Sequence, residues 1–430
     1  MIPIRQTLGQ GIDLTIVRDD RFKQNSLSVN FLSNFDPICS SAAYLVPAVM
    51  QRGTSTYPTM AAISRRLDYL YAANIGGQHI RFGNTRVQKI NCSWLDDSFV
   101  PGQENISAQV MEFFAEYVFS PLLKEGTFSS EYVESEKSNL VDAVLAEIND
   151  KQTYAYHRTQ RELGRGTVLA HAEHGTIEQI KGVTARDVYA QYREMIDTHA
   201  VQVFYIGRGE TDEIVDMVKN MLAPLFESKT RQIFVPCLRE VMPSPVESLH
   251  VVEEEQVMSG AVLNLGLHCP VVMNSEDYAK FILFNEILSG SPTARLFMNV
   301  REKHSLCYYC YAVVEPMLGM MIISSGIEAS KREFAERAIL AEIADIAAGN
   351  VTDEELKNAV LSLKNGLVTM TDSMRMMEWA LLRRFVAGLE PVSLDESMKR
   401  IEAVTVADIA DMAKRMQHDM TYFLRGGEDE

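Results

Sequence analysis

Ile180–Met195 reads IKGVTARDVYAQYREM, and Ile401–Met416 reads IEAVTVADIADMAKRM. The two stretches carry Ile, Val, Thr, Asp and Met at equivalent places, and self-similarity at one long offset marks a chain built from two related halves. Each has a Thr followed three residues later by Asp (Thr184 and Asp187, Thr405 and Asp408), a spacing that predicts a capped helix start. Each is followed by a short apolar run with a glycine-containing end, AVQVFYIGRGE from Ala200 and MTYFLRGGEDE from Met420, which predicts a closing strand in both halves.

Working outward, Leu27, Val29 and Phe31 alternate with Ser28 and Asn30, as Leu263 and Leu265 alternate around Asn264. That is the period of half-buried strands. FSSEYVESEK at Phe128 and VTDEELKNAV at Val351 predict helix starts, the second with Thr352 and Glu355 spaced as a capping box. Ser130 to Ile148 places Val133, Leu140, Val144 and Ile148 on one helical face. Between the halves, Pro224, Pro236, Pro243 and Pro245 favour extended chain. The pattern predicts an α+β protein of two homologous α/β sandwich domains, residues 1–221 and 249–430, joined by a linker at 222–248.

The 430 residues are 47% hydrophobic and 23% charged, which fits an ordinary globular chain and excludes a disordered one. A net charge of −17 disfavours nucleic acid and anionic membrane surfaces as partners. Six cysteines without a paired framework fit a reducing compartment. MIPIRQTLGQ lacks the apolar core of a signal peptide, and no apolar run is long enough to span a bilayer, so a cytoplasmic location is expected.

Two motifs carry a resemblance to a known family. ARLFMNVREKHSLCYYCYA, from Ala294, is similar to the second-half signature of the insulinase/pitrilysin zinc peptidases, which include the mitochondrial processing peptidase and its core-protein relatives. AAYLVPAVMQRGTSTYP, from Ala42, resembles the segment around that family's inverted zinc motif. The resemblance extends through both halves and implies a clam shell of two domains, each an antiparallel-rich sheet with helices on one face.

An H-x-x-E-H helix binds zinc because its two His, four residues apart, point the same way, and its Glu can act as general base to metal-bound water. Aligned on Gly53 and Thr54, the resemblance puts Tyr44, Pro47 and Ala48 at the His, Glu and His positions. Ala48 has no donor atom, a neutral tyrosine is a poor ligand, and Pro47 removes a helix hydrogen bond at a cost of about 3 kcal/mol. The family's third ligand, a Glu seven residues beyond an earlier Glu, falls from Glu136 on Ala143, with Glu147 one turn further as a shifted candidate. No metal or other cofactor is therefore expected in this chain.

The family also uses an Arg and a Tyr seven apart in the second half to hold substrate, and here Arg301 and Tyr308 have that spacing. Guanidinium and phenol are donors able to hold a peptide carbonyl or a developing oxyanion. Tyr309, the adjacent phenol, should face the other way if the strand alternates. The resemblance implies a non-catalytic subunit that binds peptide with Arg301 and Tyr308 while a homologous catalytic partner supplies the zinc. The alternative is an inert scaffold or assembly protein with the same fold; a homodimer is compatible with either in isolation, and the sequence holds no constellation for an independent enzyme.

Three further clusters have plainer expectations. HAEH, with His171, Glu173 and His174, is bracketed by Gly164, Gly166 and Gly175 and predicts a surface connection. Cys307 and Cys310 form C-x-x-C, but on a regular strand they would sit about 10 Å apart, beyond the roughly 7 Å reach of a disulfide. The methionines at 370, 374, 376 and 377 read as helix core, with an adaptable peptide surface as the alternative.

Overall fold

A computed structural model describes residues 3–228, 230–236, 248–269 and 271–427. Thr184 and Thr405 each accept a hydrogen bond from the backbone N–H three residues on while Asp187 and Asp408 return the favour, so both repeat helices begin in full capping boxes. The Thr352–Glu355 box is present as well.

The first half supplies β1 (Ile4–Gly9), β2 (Ile12–Arg18), β3 (Gln24–Asn34), β4 (Asn74–Phe82), β5 (Thr85–Leu95), the two-residue pair β6 (Leu123–Lys124) and β7 (Thr127–Phe128), and β8 (Ala200–Gly207). Its helices are α1 (Ser40–Met50), α2 (Met60–Tyr69), α3 (Ile106–Phe119), α4 (Ser130–Ala146), α5 (Lys151–Leu163), α6 (Ile177–Gly182), α7 (Ala185–Thr198) and α8 (Thr211–Met221). The second half supplies β9 (His250–Gln256), β10 (Ala261–His268), β11 (Cys307–Glu315), β12 (Met320–Ile327) and β13 (Gln417–Gly426). Its helices are α9 (Tyr278–Asn285), α10 (Arg332–Ala347), α11 (Asp353–Met370), α12 (Met374–Val386), α13 (Leu394–Glu402) and α14 (Val406–Lys414).

The two sheets run β1-β2-β8-β3-β5-β4 and β9-β13-β10-β12-β11, the same order once the extra β1 is set aside. In both, one parallel pair (β2 with β8, β9 with β13) sits among antiparallel ones. The repeat is therefore one of topology as well as sequence.

Leu27, Val29 and Phe31 enter the first core together with side chains from α1, α3 and α7, and Leu263, Leu265 and Leu267 enter the second. The opposite face of β3 was expected to meet water, yet Ser28 and Asn30 are fully buried. The reason is an exchange of helices: α12 of the second half lies across the open face of the first sheet. Met377 packs on Val17 and Ile206, while Leu382 and Val386 pack with Leu32, Val87 and Phe204. Glu378 of α12 pairs with Lys89 at 2.6 Å and accepts from Ser28 Oγ at 2.5 Å.

Reciprocally, α5 of the first half crosses the open face of the second sheet. Asn264 donates to Thr159 Oγ1 at 3.0 Å, and Tyr154 donates to Glu254 at 2.6 Å. Leu163 presses on Gly266, where a Cβ would come within 2.8 Å of its methyls. Each sheet thus carries its own helices on one face and a single borrowed helix on the other.

Residues 229 and 237–247 of the expected linker, with Pro243 and Pro245, lie outside the described residues. The described part begins on the first half, where buried Arg231 donates to the carbonyls of His199, Ile196 and Leu225. It then reaches α12, with Phe234 stacked on Phe385 at 5.5 Å. Among the described residues no helix is long and apolar enough to cross a membrane.

Candidate functional site

Helix α1 runs unbroken through Pro47. Proline cannot donate the amide that would bond the carbonyl of Ala43, so the orphaned acceptor needs another donor. Gln88 of β5 supplies it, its Nε2 donating to Ala43 O at 3.0 Å in a buried position. Gly77 of β4 brings that strand against the proline ring, leaving only 3.0 Å to Pro47 Cβ for any added Cβ. The proline is built into the packing.

Tyr44, one turn earlier, lies with its ring 4.9 Å from His79 and 6.0 Å, edge-on, from His174. Burial, with the charge of Glu173 adding to it, raises the Tyr44 phenol above its ordinary value, so the group stays neutral near pH 7. His79 is almost fully buried and neither ring nitrogen has a hydrogen-bond partner. Glu173 stands 3.6 Å from its Nδ1, too long for a hydrogen bond, and burial holds the imidazole below its ordinary value.

Tyr44 and Glu173 border a cavity of about 310 Å³ that Glu315, Met317 and Leu318 of the second half also line. HAEH forms a turn in the connection expected there, with His171 exposed and the Glu173 side chain 43% exposed, and Glu173 and His174 also line this cavity. Arg81 explains the turn. Its guanidinium donates to the carbonyls of Gly83, His171 and Val168 at 2.7–2.8 Å and stacks 3.9 Å from the Phe35 ring centre. Burial pushes its pKa down to about 10, which leaves it charged at neutral pH. Sequence reasoning missed His79 and Arg81 as neighbours of this site, because neither belongs to a motif.

Glu147 also lines the cavity, paired with His157 at 3.1 Å and Arg161 at 3.8 Å. It was the shifted ligand candidate, and its partners are an imidazole and a guanidinium. Ala143 is exposed on α4. Among the described residues no three His, Cys, Asp or Glu side chains are grouped to hold a metal ion. Tyr44, Pro47 and Ala48, the residues expected at the motif positions, do not offer a donor set that fits zinc.

Arg301 lies in the π-helical segment Leu296–Lys303, its guanidinium 4.6 Å from the Phe297 ring centre and 3.6 Å from Glu302. Tyr308 is 72% exposed on β11, the outer strand of its sheet. Neither residue lines the cavity beside Tyr44.

The alternation expected across Tyr308 and Tyr309 is modified by a bulge: the register with β12 skips between Cys307 and Tyr309. Tyr309 lies tilted against Tyr311, ring centres 5.7 Å apart, and packs over Gly326, and Tyr311 receives a hydrogen bond from Gln152 of α5, so this pair faces the borrowed helix. The bulge also corrects the spacing of the C-x-x-C. Cys307 and Cys310 both turn toward the second core with their thiols in hydrogen-bonding reach, and both are free.

The methionines divide. Met377 and Met374 pack against the first sheet as helix core, Met376 is exposed, and Met370 borders a second cavity.

Residues 182–363 match the family profile described as Peptidase M16 inactive domain. A curated relative, the probable inactive metalloprotease YmfF of Bacillus subtilis, is 26% identical over 97% of this chain and 96% of its own length. A conserved protein from Enterococcus faecalis superposes with a TM-score of 0.90, at 24% identity, over all of both chains. The periplasmic protease PqqL from Escherichia coli superposes with a TM-score of 0.71 at 15% identity, over 99% of this chain and 48% of the protease.

Proposed function

We propose that this chain, a non-catalytic relative of the M16 or insulinase/pitrilysin-type peptidases, serves as the substrate-binding subunit of a peptidase pair. Residues 1–221 and 249–430 would be its two domains, with 222–248 joining them. A homologous partner with an intact H-x-x-E-H helix would carry the zinc, and Arg301 and Tyr308 of this chain would hold the peptide.

The observation that carries the reading is the contrast between its two motifs. The positions of the zinc helix have been absorbed into packing, with Tyr44 against two histidines and Pro47 against Gly77. Arg301 and Tyr308 have not: one is held only by a neighbouring ring and carboxylate, and the other stands out from an edge strand. Such a strand offers unpaired backbone groups to an extended peptide. The match to 48% of PqqL is consistent with two such units making a whole peptidase.

The scaffold reading keeps one point in its favour, that neither residue lines the cavity beside Tyr44. Co-expression with an H-x-x-E-H homologue separates the two. A heterodimer by light scattering, with zinc-dependent turnover lowered about a hundred- to a thousandfold by Arg301→Ala or Tyr308→Phe at unchanged melting temperature, supports the subunit role. Tyr309→Phe, buried against Gly326, should leave the rate alone. Chains that do not associate at micromolar concentration, or an active pair indifferent to Arg301, would leave the scaffold role.

A further inference from the structure

A second cavity, of about 990 Å³, opens beneath α13 and lies well away from the zinc-motif helix. Its walls come from α9, α11, α12 and α13, with Ile282, Leu367, Met370, Leu381, Leu394 and Ile401 giving it a strongly apolar interior. The volume is at the upper end of that of ordinary small-molecule sites.

One side of this apolar space is lined by guanidinium groups. Arg383, Arg384 and Arg400 all border it, in a chain whose net charge is −17. Other cations at the rim are neutralised: Lys280 by Asp277 and Asp408, Arg21 by Asp19 and Asp372, and Arg400 by Glu396 at 3.0 Å. Arg383 and Arg384 differ, since among the described residues neither has a carboxylate within ion-pair distance. Arg384 donates only to the backbone carbonyl of Glu390, at 2.6 and 3.1 Å. Burial and then the charge of Arg400 weaken its hold on its proton. An under-neutralised, half-buried cation beside an apolar cavity is suited to an anion with a hydrocarbon body.

We propose that this cavity binds a long-chain acyl carboxylate, its chain among Ile282, Leu367, Met370 and Leu394 and its head group on Arg383 and Arg384. An apolar peptide fits less well. The walls are helices whose backbone groups are already bonded along the helix, so a buried peptide would leave its own amides without partners, whereas an acyl chain has none to satisfy.

Equilibrium dialysis of radiolabelled dodecanoate against the full chain, freed of lipid beforehand, tests the proposal independently of any peptidase role. The expected result is one saturable site, affinity falling roughly fourfold for each methylene removed, and dodecanol at least tenfold weaker than dodecanoate. Arg384→Gln should weaken dodecanoate at least tenfold and leave dodecanol unchanged, and Arg384→Lys should restore most of the loss. Should Arg384→Gln fail to fold, Arg383→Gln, which breaks no ion pair, gives the same reading. Ala380→Trp, which projects an indole into the cavity, should weaken both ligands alike. Equal binding of acid and alcohol, binding indifferent to the arginine substitutions, or no saturable site would each overturn it.

Discussion

Lys89→Met removes one half of the ion pair that holds α12 on the first sheet. Both side chains are nearly out of water, 7% and 5% exposed, and the remaining partner of Glu378 is a single hydroxyl, that of Ser28. Methionine replaces most of the lysine's apolar stem, so lost packing is a small part of the effect. What is left is a buried carboxylate without its cation, and breaking such a pair costs about 3–5 kcal/mol. If that cost falls on docking of α12, its amides should exchange with solvent roughly two hundred- to five thousandfold faster. Hydrogen exchange read by mass spectrometry on peptides spanning 374–386 measures this, with α10 as an internal reference. The double variant Lys89→Met with Glu378→Met removes both charges and leaves only the Ser28 O–H without an acceptor, its oxygen still receiving Asn30 Nδ2 at 2.9 Å, at about 1 kcal/mol. It should recover most of the protection. A double variant as labile as the single one, or a single variant within tenfold of the parent, would refute the idea that this pair secures the helix.

His199 is buried with neither ring nitrogen bonded, and burial, with Arg86 and Arg231 adding to it, pushes its pKa down to about 3. Between the unfolded value of about 6.5 and that figure only the unfolded chain takes up the proton, so stability should fall with pH at up to about 1.4 kcal/mol per unit. Urea titrations from pH 7 to pH 4 should show a shallower slope in His199→Gln. A hydrogen bond from Cys310 lowers the Cys307 thiol below its ordinary value, so alkylation at pH 7 should strike Cys307 before the other described cysteines, and Cys310→Ala should move its pH–rate profile upward. Installing Tyr44→His, Pro47→Glu and Ala48→His should still leave zinc weakly held, because Ala143 offers no third ligand. Adding Ala143→Glu should raise zinc retention after dialysis, and equal retention without it would contradict the assigned position.

Much of this architecture is written locally. The capping boxes at Thr184, Thr352 and Thr405 need only residues three apart, and the inward set Leu27, Val29 and Phe31 needs only alternation. The burial of Ser28 and Asn30 was not legible, because it depends on a helix about 350 residues later whose partner no periodicity names. The bulge at Tyr308 is equally silent: no glycine marks it, and it shifts the register of the strand and brings the two cysteines to one face. On α1 the positions that the resemblance assigns to the zinc motif, Tyr44, Pro47 and Ala48, could be named from the sequence. Their neighbours were not, since His79 and His174 lie 35 and 130 residues along the chain from Tyr44 and meet it only through the fold.

The borrowed helices also set an order of events during synthesis. When the last strand of the first sheet, ending at Gly207, has left the ribosome, the face bearing Val17, Val87, Phe204 and Ile206 lacks its covering helix until α12 is made, ending at Val386. At about 5–20 residues per second that interval is roughly 9 to 36 seconds, far longer than local helices and hairpins take to form. The nascent first half is therefore a sheet with an open, partly apolar face for most of the time the second half is being translated. Chaperone binding to stalled chains should peak for those ending between Gly207 and Met374 and decline once Val386 is exposed. Hsp70-type capture that tracks chain length in this way would identify the exchange of helices as the step that releases the protein from its folding machinery.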